Sequence, residues 1–207
     1  MSDAGEGRPG VGRVEAFSDG VVAIIVTIMV LELHPPVAER FGALWTLWPT
    51  FLAYVLSYAY VAIYWVNHHR LFGHATRVTN ALIWSNMLLL FALSLMPFST
   101  SYLGEHHFSR AATWLYLGTA LFPACAYTWL QSAIARTGRQ DASARAYYKM
   151  YTRKGLVAVG IYLLGVVLTA GSPWLGIACA ALVAAFWILP ASRVDRWFAP
   201  RGPTHGS

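Results

Sequence analysis

Six apolar runs divide this chain, at Val14–Leu33, Leu44–Val66, Ala81–Leu103, Ala111–Ile134, Leu156–Ala170 and Trp174–Leu189. A helix needs about 20 such residues to cross a hydrocarbon core roughly 30 Å thick. In lipid every backbone N–H and C=O must be satisfied within the protein, so only helices and closed barrels can span. The runs are continuously apolar rather than alternating, which selects helices. The expected fold class is an all-α membrane protein: one domain over residues 1–207, with six transmembrane helices per subunit. The last two runs are short and are expected to extend into flanking aromatics, Tyr147-Tyr148 before the fifth and Trp197-Phe198 after the sixth. Gly171-Ser172-Pro173 between them reads as a tight turn.

Composition agrees. Of 207 residues, 57% are hydrophobic and only 12% charged, against about 25% charged in an average globular chain. Cys125 and Cys179 lie in apolar runs without motif spacing and are expected to be small core residues. The first run ends in Glu32, His34 and Pro35-Pro36 without a small-residue cleavage site, so it is expected to be retained.

The net charge of +6 is informative through its distribution. Thirteen of the fifteen cations fall at the N-terminus, in the second-to-third and fourth-to-fifth loops and at the C-terminus; only Arg40 and Arg110 lie on the other side. By the positive-inside rule both termini are expected in the cytoplasm. The basic balance is thus a topology signal and points to no nucleic-acid partner. Contact with anionic lipid at the fourth-to-fifth loop is secondary.

The segment Arg13-Val-Glu-Ala-Phe17-Ser18-Asp19-Gly20 leads directly into the first run. A charge at the centre of a spanning helix costs about 2.5–3.5 kcal/mol on insertion scales, so Asp19 needs a partner or a role. On a helix of about 100° per residue, Ile24, Ile28 and Leu31 form one stripe, which Phe17 and Val21 extend and Thr27 joins. Asp19 lies about 140° from Ile24, away from the stripe and toward neighbouring helices. Two readings stay open from periodicity: the stripe packs against lipid or another helix, or it lines a pore and closes it by excluding water.

The pattern Arg13-x-x-x-Phe17-Ser18-Asp19 resembles the first-helix signature of the transmembrane protein 175 family. Asn67-His68-His69-Arg70 after the second run, and an Asn followed by Pro97-Phe98-x-Thr100 in the third, resemble the same family in the same order. The resemblance covers roughly Arg13 to Glu105, half of the chain. It implies a potassium-permeable channel in which the first helix lines the pore. On that basis Ile24, Ile28 and Leu31 form the constriction, and Thr27 contributes to potassium preference. It also implies a homotetramer whose four first helices surround the pore. Animal members carry two six-helix repeats and prokaryotic ones a single repeat, so one repeat implies the plasma (inner) membrane of a prokaryote. Potassium is the permeant ion, and no cofactor is expected.

The physics of such a constriction is simple. An ion passing an isoleucine ring sheds hydration without replacement ligands, and the more strongly hydrated sodium loses more. The chain has no Thr-Val-Gly-Tyr-Gly filter, so the expected preference is modest.

Arg13, Phe17, Ser18, Asp19, Asn67, His68 and His69 are expected to form a structural polar network at one end of the first two helices. Arg13, Ser18 or a histidine would be the partner of Asp19. An unperturbed imidazole titrates near pH 6.5, so a histidine there can tune opening; the blander reading of His68-His69 is polar capping. Adjacent histidines diverge on a helix, and no third ligand has metal spacing. Glu105-His106-His107 reads as a solvated outer loop. Pro97 is expected to kink the third helix, with Ser94, Ser99 or Thr100 satisfying the freed backbone. The alternative function is a secondary transporter or proton pathway using Asp19, Glu32 and the histidines, but no inverted repeat or broken half-helix accompanies it. No His-Glu-x-x-His, Gly-x-Ser-x-Gly or carboxylate cluster suggests an enzyme.

Overall fold

The computed structural model describes residues 10–188, and among them every regular element is helical. The elements are α1 (Val11–Leu31), α2 (Phe41–Leu44), a 3-10 turn (Trp45–Leu47), α3 (Trp48–Phe72), α4 (Asn80–Ser94), α5 (Met96–Glu105), α6 (Arg110–Thr137), α7 (Ala142–Thr169) and α8 (Pro173–Ile188). They make six passes: α1, α2 with α3, α4 with α5, α6, α7 and α8. Four of these are long and apolar enough to cross a membrane: Val11–Leu31, Phe41–Phe72, Asn80–Glu105 and Ala142–Thr169. α8 is apolar but 16 residues long as described. Trp197-Phe198, expected to lengthen it, lie outside the described residues, as do Arg8, Arg193, Arg196 and Arg201.

Prolines explain where the passes break. Pro49 sits in the first turn of α3, after the 3-10 turn, where a missing N–H costs nothing. The third pass breaks at Leu95, whose N–H reaches back only to Ala92 at 3.4 Å, with Pro97 in the first turn of α5. The expected single kinked helix is thus two helices joined at Leu95. The nearby hydroxyls do not reach the carbonyl four residues before Pro97: Ser94 donates to Phe91, and Ser99 and Thr100 both donate to Met96. α6 runs unbroken through Pro123. The fifth pass begins at Ala142, fourteen residues before the apolar run, because Asp141 caps it by accepting from the Ala144 N–H at 2.8 Å. The Ser143 hydroxyl, then that N–H, holds the Asp141 carboxyl below its usual range.

The passes alternate in direction, and tertiary contacts place their ends. At one end the α3–α4 connection meets the α6–α7 connection, where Arg139 N–H donates to His74 and Thr76 donates to Thr137. Gly10, with φ +83, seats against Val78 at the same end. At the other end Phe108 is buried between Trp48 and Trp174, with ring centroids 6.1 Å and 4.8 Å away. That packing holds His107 and Phe108 in left-handed conformation, at φ 48 and 56. Glu105, His106 and His107 are exposed beside it.

The core lies between the helices. Ser57, Tyr116 and Thr100 link α3, α6 and α5 by hydrogen bonds of 3.1 Å and 2.7 Å. α7 and α8 form a hairpin that closes on glycine: a Cβ at Gly165 would lie 2.9 Å from Cys179 Cβ, and one at Gly176 would strike Thr169 and Thr113. Of the two cysteines only Cys179 is a core residue. Cys125 is exposed on α6, which corrects the expectation for it.

Candidate functional site

α1 has two unlike faces. Val11, Ser18, Val22, Ile25 and Met29 are buried at spacings that keep one side of the helix against α3, α4 and α5. The opposite side is open: Phe17 is 55% exposed, Ile24 58%, Ile28 41% and Leu31 73%. Among the four long apolar passes, α1 is the least covered by the rest of the chain. Thr27 lies on the open side and donates its hydroxyl to Ile24 O at 2.8 Å. That bond uses the hydroxyl hydrogen, leaving the Thr27 oxygen an acceptor on the exposed face.

Behind the open face, polar residues tie α1 down. Ser18 is buried and donates to Val14 O at 2.8 Å. Its oxygen accepts from Asn86 Nδ2 on α4 at 2.8 Å, so the Asn86 carbonyl must face His68 on α3. His68 Nε2 lies 2.9 Å from that oxygen and therefore carries the donated hydrogen. One buried asparagine thus joins three passes. His68 is also stacked on Phe72, with ring centroids 4.2 Å apart.

Two rungs flank this core. His69 Nδ1 donates to Glu15 Oε1 at 2.9 Å, and Trp65 Nε1 donates to Asp19 Oδ1 at 2.9 Å. Glu15 and Asp19 are one turn apart on α1, as Trp65 and His69 are on the antiparallel α3. Both rungs are partly solvated, with His69 and Trp65 exposed.

The network differs from its sequence outline in four places. Asp19 does turn away from the stripe, but its partner is Trp65, none of the three candidates. Arg13 is exposed and takes no part in these bonds. Phe17 belongs to the open apolar face. Asn67 is buried on another side of α3, where its carbonyl accepts from Tyr127 at 3.0 Å. Glu15, Trp65 and Asn86 were missed as network members. An asparagine nearly two turns into an apolar pass was their one visible signal; Glu15 and Trp65 pair only because antiparallel packing sets the register. Among the described residues no group of three His, Cys, Asp or Glu side chains is arranged to hold a metal.

With this geometry defined, relatives place the chain. Residues 13–97, which include all but the first two residues of α1 and the whole polar network, match the family model described as endosomal/lysosomal potassium channel TMEM175. A protein named as a potassium channel from Chryseobacterium sp. (strain P1-3) is 40% identical over 186 residues, covering 89% of this chain and 96% of the relative. A human protein named as an endosomal/lysosomal proton channel, TMEM175, is 40% identical over 97 residues, covering 41% of this chain and 19% of the relative. The crystal structure described as a lysosomal potassium-selective channel TMEM175 homolog from Chamaesiphon minutus superposes with a TM-score of 0.76 at 33% identity, covering 86% of this chain and 96% of that one. The likeness extends well beyond the α1 signature to nearly the whole helical bundle, and the chain belongs to the TMEM175 family.

Proposed function

We propose that this protein is a potassium-permeable cation channel, modestly selective for potassium over sodium, in which α1 lines the pore of a homotetramer. The carrying observation is the division of α1: an apolar face left uncovered by its own chain, opposite a face fixed by Ser18, Asp19 and Glu15. Four copies turned inward would bring Ile24, Ile28 and Leu31 into successive apolar rings, with Thr27 between the first two. Such rings close a pore by excluding water. The Thr27 oxygen, free to accept, supplies part of the hydration that a passing ion gives up. The cation-rich ends of the passes face the cytoplasm in this reading, in a prokaryotic plasma membrane. The names of its relatives support potassium as the permeant ion.

The test is potassium flux from proteoliposomes, comparing the parent with Ile24→Asn and Ile28→Asn. Each asparagine wets its ring, so flux should rise and the preference over sodium should fall. Unchanged flux and selectivity in both variants would remove α1 from the pore. A pH-gradient arm of the assay measures whether protons also pass.

A further inference from the structure

A cavity of about 80 Å³ lies among α3, α6, α7 and α8, remote from the open face of α1. At 10–15 Å³ per water-sized group it holds about six. Its wall is uncharged, and six of its eighteen residues are aromatic, including Tyr64, Tyr127, Tyr151 and Trp187. Its mouth lies between α6 and α7, since the exposed lining residues are Thr128 on one helix and Thr152 and Leu156 on the other. Leu156 is 66% exposed there. Gly155 also lines the cavity, and a Cβ at that position would meet nothing within 4 Å. On the side of the cation-rich end the seam is laced by Gln131, which donates to Thr152 at 2.6 Å.

The surface above the mouth is cationic. Arg145 and Lys149 fall within an arc of about 60° with Thr152 and Leu156 on α7, and Lys149 stands about 10 Å along the axis from Leu156. Both cations are exposed. From Arg110 to Ile188 the only acidic residue is Asp141, and it is engaged in capping α7. Lys154 does not belong to this stripe; it is turned inward, its ammonium 4.7 Å from the Trp187 ring centroid.

We propose that this is a site for an anionic phospholipid of the leaflet at the cation-rich end. Its phosphate rests on Arg145 and Lys149, and the first methylenes of one acyl chain enter the cavity past Leu156. The mouth opens sideways from a membrane-spanning pass, so the bilayer supplies the occupant. The charge of the stripe selects an anionic headgroup, and the uncharged wall of aromatic and aliphatic residues suits a chain. The site depends on the membrane placement of the bundle and not on the pore assignment.

Native mass spectrometry of the purified full chain, delipidated and then given palmitoyl-oleoyl phosphatidylglycerol or phosphatidylcholine, tests this. The parent should retain phosphatidylglycerol preferentially. Arg145→Gln with Lys149→Gln should reduce that preference on the order of tenfold. Gly155→Phe should fill the cavity and release both lipids, while Gly155→Ala should keep the parent's binding. Inorganic phosphate should not compete, because it lacks the chain. No headgroup preference in the parent, an unchanged preference in the double Gln variant, or displacement by inorganic phosphate would overturn the site. The two Gln changes are on an exposed face, so the test stands even if Gly155→Phe fails to assemble. Potassium flux reports on the pore separately.

Discussion

Asn86→Leu is the most revealing single change in this molecule. Leucine keeps the branching and heavy-atom count of asparagine, so at this fully buried site the main loss is of hydrogen bonds, and the bulkier methyl groups add to it. Two are lost, to Ser18 at 2.8 Å and to His68 at 2.9 Å. In water, orphaning a buried polar group costs about 1–3 kcal/mol, which for two groups suggests about 2–6. The membrane value governs here, because a chain unfolded within the bilayer also finds partners: interhelical bonds there average about 0.6 and reach about 1.7 kcal/mol. The expected loss is therefore about 1–3 kcal/mol. It should appear as a lower midpoint of SDS-driven unfolding in mixed micelles, followed by tryptophan fluorescence. Ser18→Ala should cost less, since it removes one interhelical bond and the local bond to Val14 O while His68 keeps its partner. Combined with Asn86→Leu it should cost less than the two single losses added together, with a coupling near one bond's worth. A parental midpoint for Asn86→Leu, or strictly additive losses, would refute the claim that Asn86 ties α1 to α3 and α4.

Other expectations are smaller or more local. Trp65→Phe removes the donor to Asp19 while keeping an aromatic ring; because both groups are partly solvated, the same unfolding assay should show a loss under about 1 kcal/mol, and Asp19→Asn, which retains the accepting oxygen, should match the parent. Gly176→Val places methyl groups where Thr169 and Thr113 already stand; overpacking of about 1–3 kcal/mol should spread the α7–α8 hairpin and speed labelling of Cys179 by a thiol reagent. The depressed Asp141 carboxyl contributes stability that is present above its unfolded value, about 3.9, and is lost as pH falls through the lower folded value. Asp141→Asn keeps a neutral cap, so any stability advantage of the parent over this variant should shrink in acid when unfolding midpoints are compared across pH.

The polar network shows how site information divides between chain and fold. Ser18 and Asp19 were legible because polar groups in an apolar run demand partners. The identity of those partners was not, because pairing across helices depends on register. α1 and α3 run antiparallel with Glu15 level with His69 and Asp19 level with Trp65, and no local pattern in either segment encodes that offset. Arg13 looked like the natural counter-ion because it is near in sequence. The helix carries it to the outside, where water solvates it at less cost than burial beside Asp19.

What the sequence determined by itself is the class of structure. Six apolar runs, with cations gathered on alternate connections, select a helical bundle of six passes, because lipid admits only helices and closed barrels and the runs do not alternate. It also determined which side of α1 is apolar, since a 3.6-residue period needs no neighbours to define a face. Tertiary structure decided the rest. It split the third pass at Leu95, started the fifth at Asp141, joined three passes through Asn86, and left an uncharged cavity under a cationic stripe. These features depend on which side chains the bundle brings within a few ångströms, and packing sets those distances.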